Sequence, residues 1–189
     1  MKHALILHGT DANPKANWFP WLKAKLESQG YDVWVPLLPN NHTPNRETYG
    51  NFLLDDSHDL TDGIIVGHSS GAVETLNLLM DPRLPHVSLA VMVSAWAGEK
   101  PNGYDTNEQF ENLFPPNPPA GFDFAAIKQK ADNLAFLHGA DDPYCPVERA
   151  QYLAEQLDAP ITIIPNGHHL GAKFTELPEL WRVIERKIS

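Results

Sequence analysis

Residues 67–71 read Gly-His-Ser-Ser-Gly, which fits the pattern G-x-S-x-G with Ser69 at its centre. A strand that turns abruptly into a helix forces its central residue into a strained conformation, and side chains two positions away on either side would clash. Such a turn lifts the hydroxyl clear of the sheet and aims the free N–H groups of the following helix at a reacting carbonyl. Ser70 does not fit the pattern, because His68 and Ala72 would occupy its glycine positions. A serine hydroxyl is a poor nucleophile until a base removes its proton, and the base needs a third group to hold it.

The order that accompanies such an elbow is serine, then acid, then histidine, with the later two at strand ends. Two downstream loops supply these residue types. Gly-Ala-Asp-Asp-Pro spans 139–143, and Asn-Gly-His-His spans 166–169. Each offers two candidates. Asp142 is favoured as the acid, since it precedes Pro143 and leads the turn into a helix starting near Pro146; Asp141 reads as a residue that stabilises the turn. His168 is favoured as the base, directly after Gly167, where the loop can bend toward the nucleophile; His169 reads as a solvent-facing or loop-packing residue. Developing negative charge on the substrate needs two main-chain N–H donors. Ser70 and Thr10 are expected to provide them, Gly9 allowing close approach and His8 bracing the loop.

These groups require a scaffold of strands that end along one edge. Apolar runs at 2–8, 32–37, 63–68, 89–95, 133–138 and 160–165 predict six strands, most of them apolar on both faces, as in a parallel sheet covered on both sides. Helical spacing links Trp18, Trp21, Leu22 and Leu26; Ala72, Val73, Leu76, Leu79 and Met80; Val147, Ala150, Leu153, Ala154 and Leu157; and Leu180, Val183, Ile184 and Ile188. Residues 46–59 give a weaker helical pattern. Residues 97–122 interrupt the alternation, and Pro115, Pro116, Pro118 and Pro119 make that segment a rigid connection. It reads either as a small cap or as a surface loop with a satellite helix. Trp96, Tyr104, Phe110 and Phe114 are candidates for an apolar acyl pocket, or else bury one another.

The 189 residues suit one domain, 1–189, and carry a formal charge of -10 without a basic cluster, which argues against nucleic acid and anionic membranes as partners. A single cysteine, Cys145, leaves no internal disulfide and no zinc site built on thiolates, and the nine histidines are scattered; no metal and no cofactor are expected. Neither a signal-peptide core nor a run long enough to span a bilayer is evident, so a cytoplasmic location is expected.

Taken together, LILHGTDAN, GHSSGA, HGADDPYCP and NGHH resemble the α/β-hydrolase superfamily. The short chain and the NWFPWL segment narrow this to the small serine hydrolases that include the retinoblastoma-binding serine hydrolase and compact bacterial relatives. The resemblance covers essentially the whole chain. It implies a compact α/β-hydrolase fold: a doubly wound six-stranded parallel sheet with helices on both faces. It also implies Ser69 as nucleophile, Asp142 as acid and His168 as base, with carboxylesterase-like activity on small esters. The alternative is a hydrolase fold kept as a protein-binding module with weak or no catalysis. A nucleotide-binding protein is disfavoured, because the first loop, HGTDANP, carries neither phosphate-cradling motif.

Overall fold

Alternation along the strands sends successive apolar side chains to opposite sides of one sheet, and each side builds its own core. The computed structural model describes residues 2–54, 58–98, 108–117 and 121–188. Its strands are β1 (Lys2–Leu7), β2 (Tyr31–Trp34), β3 (Ile64–His68), β4 (Val87–Val93), β5 (Ala131–Gly139) and β6 (Ile161–Ile164). All pairings are parallel, in the order β2-β1-β3-β4-β5-β6. The helices are α1 (Phe19–Ser28), α2 (Arg46–Leu54), α3 (Ser70–Met80), α4 (Phe124–Lys130), α5 (Val147–Gln156) and α6 (Pro178–Ile188).

Leu5, Leu7, Ile65, Ala90 and Met92 face a core closed by α2, α3, α4 and α5, through residues such as Tyr49, Leu76, Ile127 and Leu153. Ala4, Ile6, Ile64, Val66 and Val91 face the other core, closed by α1 and α6 through Phe19, Leu22, Leu180 and Ile184. The chain leaves β1 outward to β2, then crosses back to β3 on the other side. The helices that follow β1 and β3 therefore lie on opposite faces, and the crevice between their loops is where α/β sheets bind ligands.

Among the differences from the sequence expectation are the limits of two strands and one helix. β2 stops at Trp34 instead of continuing to 37, since Pro36 has no N–H for the ladder. β4 runs from 87 to 93 and ends where Ser94 takes a φ of 54°. α4 was not expected; Asp123 caps it, its side chain accepting the Ala126 N–H at 2.9 Å.

In the long connection, a 3-10 turn covers Glu108–Phe110, and Leu113, Phe114 and Phe122 are buried in the core. The Asn77 side chain donates to the Leu113 carbonyl at 2.8 Å and the Arg46 N–H to the Asn112 carbonyl at 2.9 Å, which anchors this stretch on α2 and α3. Tyr104 lies outside the described residues. No helix among the described residues is long and apolar enough to cross a membrane.

Candidate active site

The turn after β3 has the strain its sequence calls for. Ser69 sits at φ 56° and ψ -122°, a region costly for any residue with a side chain. A Cβ on Gly67 would lie 2.2 Å from the Gly71 carbonyl oxygen, and one on Gly71 would lie 2.6 Å from the carbonyl oxygens of Leu7 and His8. Both glycines are therefore required for the strand and helix to approach. The Ser69 N–H donates to Val93 O at 2.9 Å, tying the elbow to β4, and α3 begins at the next residue.

The imidazole that reaches this serine belongs to His169. Its Nε2 lies 2.9 Å from Ser69 Oγ, and its Nδ1 lies 2.8 Å from Asp142 Oδ2. His168, expected as the base, does not reach Ser69; its ring faces Asp141 Oδ2 at 2.8 Å, and both side chains are over 40% exposed. The backbone explains the exchange. His168 takes a φ of 47° within a turn in which Asn166 and Leu170 are also left-handed. The loop does bend after Gly167, but the bend turns the His168 side chain outward and presents the next residue to Ser69. Asp141 then joins the two loops, accepting the His168 N–H at 2.8 Å.

Asp142 lies where it was expected. Its carboxylate is fully buried and accepts the N–H groups of Tyr144 and Cys145 at 2.9 Å each, as well as the His169 ring. Burial alone would raise its pKa, but the His169 hydrogen bond and charge and the two amides outweigh this and hold it below the ordinary carboxylate value. The charged form needed to orient an imidazolium is thus the stable one.

Thr10 and Ser70, the expected main-chain donors, are brought side by side: Thr10 Oγ1–H donates to Ser70 Oγ at 3.0 Å. Gly9 permits it, since a Cβ there would stand 2.9 Å from Ser69 Cβ. His8 is buried and spans two segments, its Nδ1 bonded to Gly9 O at 2.8 Å and its Nε2 accepting from the Leu38 N–H at 3.0 Å.

The aromatic candidates pack on each other. Trp96 meets Phe110 and Phe114 edge to face, with centroids 5.6 and 5.3 Å apart. A cavity of about 400 Å³ touches Phe114, but its other lining residues, among them Asn45, Arg46, Glu47 and Asn112, come from the start of α2 and the long connection. The aromatic side chain that does stand at the site is one the sequence did not single out. Tyr144, 76% exposed, sets its ring edge to face against His169 at 5.2 Å. Asp142, Cys145 and His169 bring potential metal-ligating atoms within 4.8 Å of one another. Asp142 and His169 are bonded to each other, however, and burial pushes the Cys145 thiol well up, away from the thiolate a metal requires.

A profile of the family described as serine hydrolase matches residues 4–186. The chain belongs to the serine hydrolase family. Among its relatives, this serine hydrolase is 28% identical to the putative hydrolase YdeN of Bacillus subtilis (strain 168), over 100% of this chain and 97% of that one. It is 25% identical to the serine hydrolase RBBP9 of Rattus norvegicus, over 98% and 95%. The crystal structure of the ydeN gene product superposes with a TM-score of 0.87 over 99% of this chain and 98% of that one, at 27% identity. Est1E from Butyrivibrio proteoclasticus, solved with ferulic acid bound, shares the fold at a TM-score of 0.70 and 14% identity, over 100% and 90%.

Proposed function

We propose that this serine hydrolase cleaves small carboxylic esters by transferring the acyl group to Ser69 and then to water. The observation that carries the reading is the unbroken line from Asp142 through His169 to Ser69, with bonds of 2.8 and 2.9 Å. His169 Nε2 takes the Ser69 proton as Oγ attacks the ester carbonyl, and Asp142 holds the imidazole in the tautomer that leaves Nε2 free to accept it. The N–H groups of Ser70 and Thr10 receive the developing oxyanion. His169 returns the proton to the departing alkoxide, then takes one from the water that attacks the acyl-enzyme. No cofactor enters this sequence, and a small-molecule ester is the partner. Location in the cytoplasm is part of the same proposal.

A retained fold serving only as a protein-binding module would not need the three side chains in line. Two experiments test the catalytic reading. A fluorophosphonate probe is expected to label the wild type and Ser70→Ala but not Ser69→Ala, and a chain-length series of p-nitrophenyl esters then measures the acyl groups accepted. A wild type that neither labels nor turns over any ester of the series overturns the proposal.

A further inference from the structure

The base loop is held from below by groups outside the catalytic line. The Nε2 of His68 lies 2.8 Å from the main-chain oxygen of His169, and Ser94 Oγ–H reaches the same oxygen at 3.1 Å. A carbonyl only accepts, so the His68 Nε2 carries its proton and Nδ1 is the bare nitrogen. One residue further on, Trp18 Nε1–H donates to Leu170 O at 2.8 Å. The loop thus receives three side-chain donors on two consecutive carbonyls. It has need of them, because His168 and Leu170 on either side of His169 are both left-handed, a conformation that surrounding contacts must hold in place.

His68 is suited to this contact. It is buried, its ring meets Trp18 and Phe19 with centroids 5.9 Å away, and it tilts against the His169 ring at 5.1 Å. Burial first, and the neighbouring His169 second, depress its pKa to about 3. It therefore stays neutral, and places no cation beside an imidazole that must itself become positive during the reaction.

We infer that His68 and Ser94 are positioning residues: by donating two hydrogen bonds to the His169 carbonyl they aim its imidazole at Ser69. This rests on the acyl-transfer reading above. A misplacement of about 1 Å at a catalytic group costs on the order of 100-fold in rate, which sets the scale of the effect.

The test compares His68→Leu, which keeps the volume and loses the donor, with His68→Gln, which restores an N–H near the Nε2 position, and Ser94→Ala. The readouts are kcat and KM on p-nitrophenyl acetate, the thermal melt, and the downfield proton resonance of the His169 Nδ1–H. His68→Leu is expected to lose about 10- to 100-fold in kcat with KM nearly unchanged and a displaced His169 resonance, and His68→Gln to recover most of the rate. If His68→Leu is folded with wild-type kcat while His68→Gln is impaired, the residue packs and does not position, and the inference fails. If His68→Leu does not fold, Ser94→Ala decides, with a several-fold loss of kcat and a moved resonance expected; an unmoved kcat and resonance overturn the inference. A wild type without activity would overturn the acyl-transfer reading instead, and the resonance would still report on positioning.

Discussion

At the residue scale, the Asp142–His169 bond depends on a charge buried where water cannot screen it, and on two amides that keep the carboxylate from turning. Asp142→Asn keeps the shape and removes the charge, and its amide nitrogen can favour the wrong imidazole tautomer. It is expected to lower kcat by roughly 10³ to 10⁴ while the protein remains folded, measured by steady-state hydrolysis of p-nitrophenyl acetate. Ser70→Ala removes only the hydroxyl bonded to Thr10, not the main-chain N–H. A loss of only a few-fold is therefore predicted in the same assay. The folded environment lowers the pKa of Asp142, so its charge persists into more acid solution than that of an ordinary carboxylate. Ser69 and Asp142 were legible from the motif and from Pro143. The choice between His168 and His169 was not, because it turns on a left-handed φ at a non-glycine residue, which residue types do not announce.

At the scale of elements, the loops bearing Asp142 and His169 are pressed together through two glycines. A Cβ on Gly139 would lie 1.9 Å from His168 O, and one on Gly167 would lie 2.9 Å from Gly139 Cα. Gly139→Ala must therefore push the base loop off Ser69. It is expected to lose at least about 10-fold in kcat and to be destabilised by roughly 1–3 kcal/mol, read from p-nitrophenyl acetate turnover and chemical denaturation. His138 supports the same junction from β5: buried, it sits 2.6 Å from Cys145 O and 3.5 Å from Asp142 Oδ2. All six strands were legible because each carries a short run of apolar residues between more polar segments. α4 was missed because its seven residues bury only Ile127, too little for a periodic signal, although Asp123 and the Ala126 N–H form an ordinary N-terminal cap. The pocket reading of Trp96, Phe110 and Phe114 rested on residue type, and their geometry is that of rings burying each other.

At the scale of the whole molecule, buried ionisable groups tie stability to pH. His8, His68 and His138 are all held neutral, their pKa values lowered chiefly by burial. The unfolded chain therefore binds protons that the folded chain refuses once the pH drops below about 6.5, so each such histidine lowers stability on acidification. For His68 this continues down to about 3. Glu74, buried in α3, has the opposite sign: burial raises its pKa well above the ordinary value, so its contribution is greatest in acid and is lost as pH rises. The thermal midpoint is expected to fall between pH 7 and 5, and Glu74→Gln to stabilise the protein more at pH 8 than at pH 4.5, both followed by thermal melts across pH. A midpoint that rises on acidification would contradict the histidine assignment.

The central claim is that His169, and not the histidine beside it, activates Ser69. Fluorophosphonate labelling rates of folded His169→Ala and His168→Ala, measured side by side with the wild type, test it most directly. Loss of labelling by a factor on the order of 10³ or more in His169→Ala, with His168→Ala within a few-fold of wild type, is the predicted result. The reverse pattern, or equal labelling in both variants, would contradict it.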